Sequence, residues 1–116
     1  MLSVHDFLEL RNRKGRNRRL YSNSLNFKGV YLLHNISKDI FYAGKSNKVL
    51  DRINSHFVGR GNGDVYADYV YGDSFEIRAI SLFGSGYNSL NKLESDTIFT
   101  YKAFEEGYNK NRGSRS

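Results

Sequence analysis

Two tyrosines, Tyr31 and Tyr42, stand eleven residues apart, and each sits in a tripeptide with glycine: Gly29-Val30-Tyr31 and Tyr42-Ala43-Gly44. A phenol can accept a proton only once it has lost its own, near pH 10 unless a neighbour steadies the charge. Candidate neighbours follow closely. Lys45 and Ser46 come directly after the second glycine. Arg52 and His56 are four residues apart, a spacing that puts both on one helical face. Arginine offers a rigid fork of donors to phosphate oxygens. Histidine accepts or relays a proton near neutral pH. Glu94 comes later, four residues after Leu90 and four before Ile98, at the edge of an apolar stripe. A carboxylate there needs a partner, either a cationic side chain such as Arg52 or a lysine, or a metal ion. Cysteine is absent, so any metal would bind oxygen or imidazole, which favours hard ions such as Mg2+ or Mn2+.

Every one of these residues also has an ordinary structural use. Tyrosines pack, arginines pair on helix surfaces, and an Arg-x-x-x-His spacing alone is a weak signal. Gly44-Lys45-Ser46 is not a P-loop, because that motif needs a glycine where this chain has Asp39. A serine capping a helix and a nearby lysine could still meet a phosphate.

The elements that must position these residues can be read from the pattern. GVYLLH and DIFYAG are rich in β-branched and aromatic residues, with the turn cluster NISK between them, and read as a β-hairpin. A four-residue loop over Asn35–Lys38 would set Tyr31 opposite Tyr42, on one face of the sheet; a one-residue slip would separate them. Ser46 or Asn47 is expected to cap the next helix. That helix carries Val49, Leu50, Ile53 and Phe57 as its apolar stripe. GRGNG over 59–63 breaks it, and DVYADYVYG reads as a short helix ended by Gly72. SFEIRAISLF alternates as a half-buried strand. A last helix runs to about Phe104, with Leu90, Leu93, Ile98, Tyr101 and Phe104 on its apolar side. A hairpin and a later strand covered by helices make an α+β domain.

The net charge is +6, and it is uneven. Residues 1–28 hold seven basic and two acidic residues, net +5; residues 29–116 hold eleven and ten, net +1. The excess lies in Arg11, Arg13, Lys14, Arg16, Arg18 and Arg19, behind a short helix expected over 4–13. Such a run is either a solvated arm or a site for a polyanion, of which nucleic acid is the commonest. The expected organisation is a basic N-terminal extension over 1–28 and one domain over 29–116. No apolar run nears the roughly 20 residues that span a bilayer, and the first residues do not read as a signal peptide. A cytoplasmic protein is expected, in the host cytoplasm if phage encoded.

The ordered set Tyr31, Tyr42, Arg52, His56, Glu94 and Asn109, with GVY for GIY and YAG for YIG, resembles the GIY-YIG nuclease family over residues 29 to about 113. The resemblance implies a three-stranded antiparallel sheet flanked by helices. It implies hydrolysis of a DNA phosphodiester with one divalent metal, leaving 5′-phosphate and 3′-hydroxyl ends. Glu94 then resembles the metal ligand, Tyr31 the acceptor of the water's proton, and Arg52 the clamp on the phosphate. His56 is expected to take the proton of Tyr31, Tyr42 to hydrogen-bond in the same site, and Asn109 to brace it. Lys45 and Ser46 are expected near the phosphate. The glycines are expected to mark a close approach of the DNA backbone. The basic extension and the GRGNGDVYADYVYGD stretch depart from the family core, and a phage or mobile-element setting and a homodimer are further expectations. The alternative is a module that binds nucleic acid through its basic arm without catalysis.

Overall fold

The computed structural model describes Leu2, Ser3, Phe7 and residues 26–110. Arg11, Arg13, Lys14, Arg16, Arg18 and Arg19 lie outside the described residues, so the expectation of a basic arm falls outside them too. The elements are β1 (Leu2–Ser3), β2 (Gly29–Asn35), β3 (Ile40–Ser46), α1 (Val49–Phe57), α2 (Gly63–Tyr71), β4 (Phe75–Ser81) and α3 (Leu90–Thr100). All strand pairs are antiparallel, in the order β1-β4-β2-β3. The expected three strands are present, and Leu2–Ser3 adds a short fourth at one edge. Among the described residues, no helix is long and apolar enough to cross a membrane.

Each face of the sheet buries its own core, as the period of two along a strand requires. Tyr31, Leu33 and Ile77 meet Val49, Ile53 and Phe57 of α1, Val65 of α2, and Phe7. Leu32 and Ala43 meet Ile98 of α3 and Ala103 on the other face. The helices thus flank the sheet, and β3 is an edge strand with α1 to one side and α3 to the other.

The hairpin is displaced from the expected register. Tyr31 lies opposite Gly44, and Tyr42 opposite Leu33. The loop is four residues long but starts one residue later, over Ile36–Asp39. Asn35 explains the shift: it is a buried strand residue whose side-chain oxygen accepts the Lys38 N–H at 3.0 Å, and so caps the turn from inside the sheet. Asp39 closes the turn at φ 55°. A displacement of two keeps the side-chain parity, so the two tyrosines still share a face.

The last helix stops at Thr100 rather than near Phe104. Lys102 takes φ 53° and reverses the chain, and the Ala103 N–H reaches back to the Ile98 carbonyl at 2.9 Å. The returning segment docks on the free edge of β3. Tyr108 N–H donates to the Phe41 carbonyl at 2.9 Å. The Asn109 side chain both accepts from the Ala43 N–H and donates to the Ala43 carbonyl, each at 2.8 Å. At the far end of the sheet Asn35 donates to Asp73 and to the Tyr108 hydroxyl, each at 2.8 Å, and Tyr108 donates to Asp68. That network ties the hairpin turn, α2 and the C-terminal segment together.

Candidate active site

Gly44 is where the site begins. Its backbone lies under the ring of Tyr31, and a Cβ there would collide with the Tyr31 hydroxyl. Gly29 is similarly filled, by the Ile80 carbonyl. These glycines therefore serve close packing inside the protein, not the approach of a DNA backbone, which corrects the sequence expectation.

With its ring over Gly44, Tyr31 is only 1 % exposed. Its hydroxyl and Nε2 of His56 are 2.8 Å apart. Tyr42 completes the cluster, with its ring centre 6.1 Å from that of Tyr31 and 4.9 Å from that of His56. Tyr42 is half-buried and so lies nearer to solvent. Burial pushes the Tyr31 hydroxyl far above the ordinary phenol range, and Tyr42 adds to this by charge and hydrogen bond, while Arg52 acts in the opposite direction. Arg52 itself is exposed; its guanidinium hydrogen-bonds Tyr31 and lies 3.4 Å from Ser55 Oγ.

The role expected of His56 is reversed. His56 is completely buried, and its Nδ1 accepts the backbone N–H of Asn62 at 2.8 Å. A backbone N–H can only donate, so Nδ1 carries the lone pair. Burial, with the Arg52 charge adding to it, lowers the imidazole pKa to about 4, so the ring is neutral at pH 7. Its one proton is then on Nε2, and His56 donates to the Tyr31 oxygen instead of taking the Tyr31 proton. Gly61 lets the loop close on the ring, because a Cβ there would collide with Nδ1. Asn62 is held in turn as the cap of α2, its side chain accepting the N–H groups of Asp64 and Val65 at 2.9 and 3.0 Å. The Gly-rich stretch over 59–63 is thus the element that orients His56.

The start of α1 also differs from expectation. Val49 N–H donates to the Phe27 carbonyl at 3.0 Å, and Leu50 and Asp51 N–H groups donate to the Asn26 side chain at 2.8 and 3.2 Å. A residue some two dozen positions upstream caps the helix. Ser46 instead exchanges hydrogen bonds with the backbone of Lys48. With these donors engaged, the helix N-terminus is not an anion site, and Ser46 is not its cap. Asn109 is engaged on both sides by Ala43, and so braces β3.

Glu94 approaches from α3 on the other side of β3. It is 9 % exposed, and its Oε1 lies 3.9 Å from Nζ of Lys45. Lys45 also hydrogen-bonds Asn91, one helical turn before Glu94. Among the described residues, no group of three or more His, Cys, Asp or Glu side chains could enclose a metal. The donor set still fits Mg2+ or Mn2+, which commonly bind one or two carboxylates and complete their shell with water and substrate phosphate. Glu94, with Asn91 near it, would be the protein's contribution.

The structure thus gathers Tyr31, Tyr42, Arg52 and His56 on the α1 side of β3, and Lys45 with Glu94 on the α3 side. Gly61, Asn62, Asn26 and Asn91 were not foreseen. Only Asn62, a capping residue type before a helical run, carried a sequence signal.

A family model described as the GIY-YIG catalytic domain matches residues 27–109. A solved structure, a substituted form of the catalytic domain of intron endonuclease I-TevI, superposes with a TM-score of 0.57 at 17 % identity, covering 77 % of this chain and 98 % of that one. No curated protein sequence matches.

Proposed function

The chain belongs to the GIY-YIG catalytic-domain family, and from that membership we propose that it is a divalent-metal-dependent DNA endonuclease. In this reading water attacks a backbone phosphorus and the bond to the 3′ oxygen breaks. One product keeps a 5′-phosphate and the other a 3′-hydroxyl. Tyr31 first passes its own proton through Tyr42, the tyrosine nearer solvent, to bulk water, and the resulting tyrosinate takes the proton of the attacking water. His56 Nε2–H and the Arg52 guanidinium hold the negative charge of that tyrosinate until it takes the water's proton. Arg52, exposed at the rim of the tyrosine cluster, also presents its fork toward the phosphate. A divalent ion bound at Glu94 would polarise the phosphate and the leaving oxygen.

The observation that carries this reading is the buried Tyr31–His56 pair with its proton direction fixed by Asn62. A surface that only binds nucleic acid has no use for a phenol whose partner can only donate. The test is nicking of supercoiled plasmid in Mg2+ or Mn2+, with Glu94→Ala beside the wild type. Wild-type nicking that Glu94→Ala lacks supports the reading. Equal inertness on duplex, branched and single-stranded DNA would sink it.

A further inference from the structure

The loop from β4 to α3, residues 82–89, takes no part in the chemistry above, yet it is firmly tied. Leu82 N–H donates to the Lys28 carbonyl at 3.0 Å, and Ser85 N–H donates to the Leu82 carbonyl at 3.2 Å. The Ser85 hydroxyl donates to that same carbonyl at 2.7 Å, and Ser85 Oγ accepts the Tyr87 N–H at 3.1 Å. The Tyr87 hydroxyl donates to Asp96 on α3 at 2.7 Å. Gly84 and Gly86, at φ 80° and 87°, supply the bends that other residues resist. The ring at the tip, Phe83, is 94 % exposed. A slack loop could lay such a ring against the protein; this one holds it out in water.

Its place in the fold says what it meets. Ser81 pairs with Gly29, and Gly29 with Ser46, so the loop leaves the sheet at the Lys45–Ser46 end. It then feeds α3, whose first turns carry Asn91 and Glu94. Lys28 and Lys48 are exposed at this same end. An aromatic ring at a lysine-lined rim suits a polyanion that also has flat apolar faces, and it does not suit an apolar protein surface. We propose that Phe83 is a wedge that packs into a base step of the bound DNA, beside the phosphate held between the tyrosines and Glu94. Apolar side chains do this elsewhere by unstacking a step and bending the duplex. The inference rests on the reading of the chain as a DNA endonuclease.

Tryptophan is absent from the chain, so Phe83→Trp installs a single indole reporter. Its fluorescence, measured in EDTA so that DNA is bound and not cut, should be quenched as duplex is added. Phe83→Ala should melt at the wild-type temperature, because the ring touches so little, yet bind duplex about ten- to a hundredfold more weakly. A duplex with 2-aminopurine beside the mapped cut should brighten with wild type and stay dark with Phe83→Ala. An unquenched indole at saturating DNA, together with unchanged affinity of Phe83→Ala, would overturn the wedge while wild-type cutting left the endonuclease reading standing. A wild type that neither binds nor cuts DNA would overturn both.

Discussion

The backbone N–H of Asn62 points into Nδ1 of His56 at 2.8 Å, and this one bond sets the direction of the hydrogen bond between His56 and Tyr31. His56 is held neutral, with its proton on Nε2. Its pKa lies at about 4 in the fold against 6.5 for the free side chain. Between those values the unfolded chain binds the extra proton and the folded one does not, so stability falls as pH falls. The contribution is complete above about pH 6.5 and is lost down to about pH 4, at most about 3 kcal/mol. Urea unfolding across that window should show the slope in wild type and a shallower one in His56→Gln. Nitrogen NMR should find the Nε2–H form of His56 at pH 7; an Nδ1–H form would contradict the proton direction.

Tyr31→Phe keeps the ring over Gly44 and removes only the oxygen. Nε2–H of His56 is then buried without an acceptor, which costs about 1–3 kcal/mol. Nicking should fall about 10²–10⁴-fold if the phenol takes the proton. Tyr42→Phe should lose less stability, because Tyr42 is half-buried. Comparing melting temperature with single-turnover rate separates the two effects.

Gly44→Ala places a methyl group where the Tyr31 hydroxyl lies. The ring must move or the strand must shift, at a cost of about 1–3 kcal/mol. The cut rate should fall with it, while DNA affinity, carried by other surfaces, should change little. Melting, nicking and binding measured on one preparation check all three outcomes.

Asn26→Ala removes the outside cap of α1. The expected loss is about 1 kcal/mol, as for other helix caps. Asn26→Asp should restore most of it, since an aspartate oxygen can accept the same two N–H groups. Ser46→Ala should cost less than Asn26→Ala; the reverse order in thermal melts would show that Ser46 is the cap after all.

Much of this architecture is legible in the sequence because it depends on local periodicity. The hairpin, α1, α2 and β4 follow from alternation, helical stripes and glycine stops. The cluster of Tyr31, Tyr42, Arg52 and His56 follows from spacing, since side-chain parity in a strand and a four-residue step in a helix survive small errors of register. What is not legible is set by contacts distant in sequence. Asn35 moves the turn because its side chain finds Lys38, Asp73 and Tyr108. Asn26 caps a helix from 24 residues away. The direction of the His56 proton depends on one backbone group in a loop that looks like filler. Glycines are ambiguous by nature: absence of a side chain records that something fills the space, not what fills it.

The clasp of Asn109 on Ala43 spans 66 residues, and that span imposes an order in time. A closure so long loses more chain entropy than the neighbouring turn of the hairpin, so the hairpin can pair well before the clasp forms. Until then the outer edge of β3 is bare, and a bare edge is a template for another chain. An unclasped β3 edge is therefore open to a neighbour's strand until the segment around Asn109 docks on it. Dilution favours the docking, and crowding of nascent chains favours the neighbour.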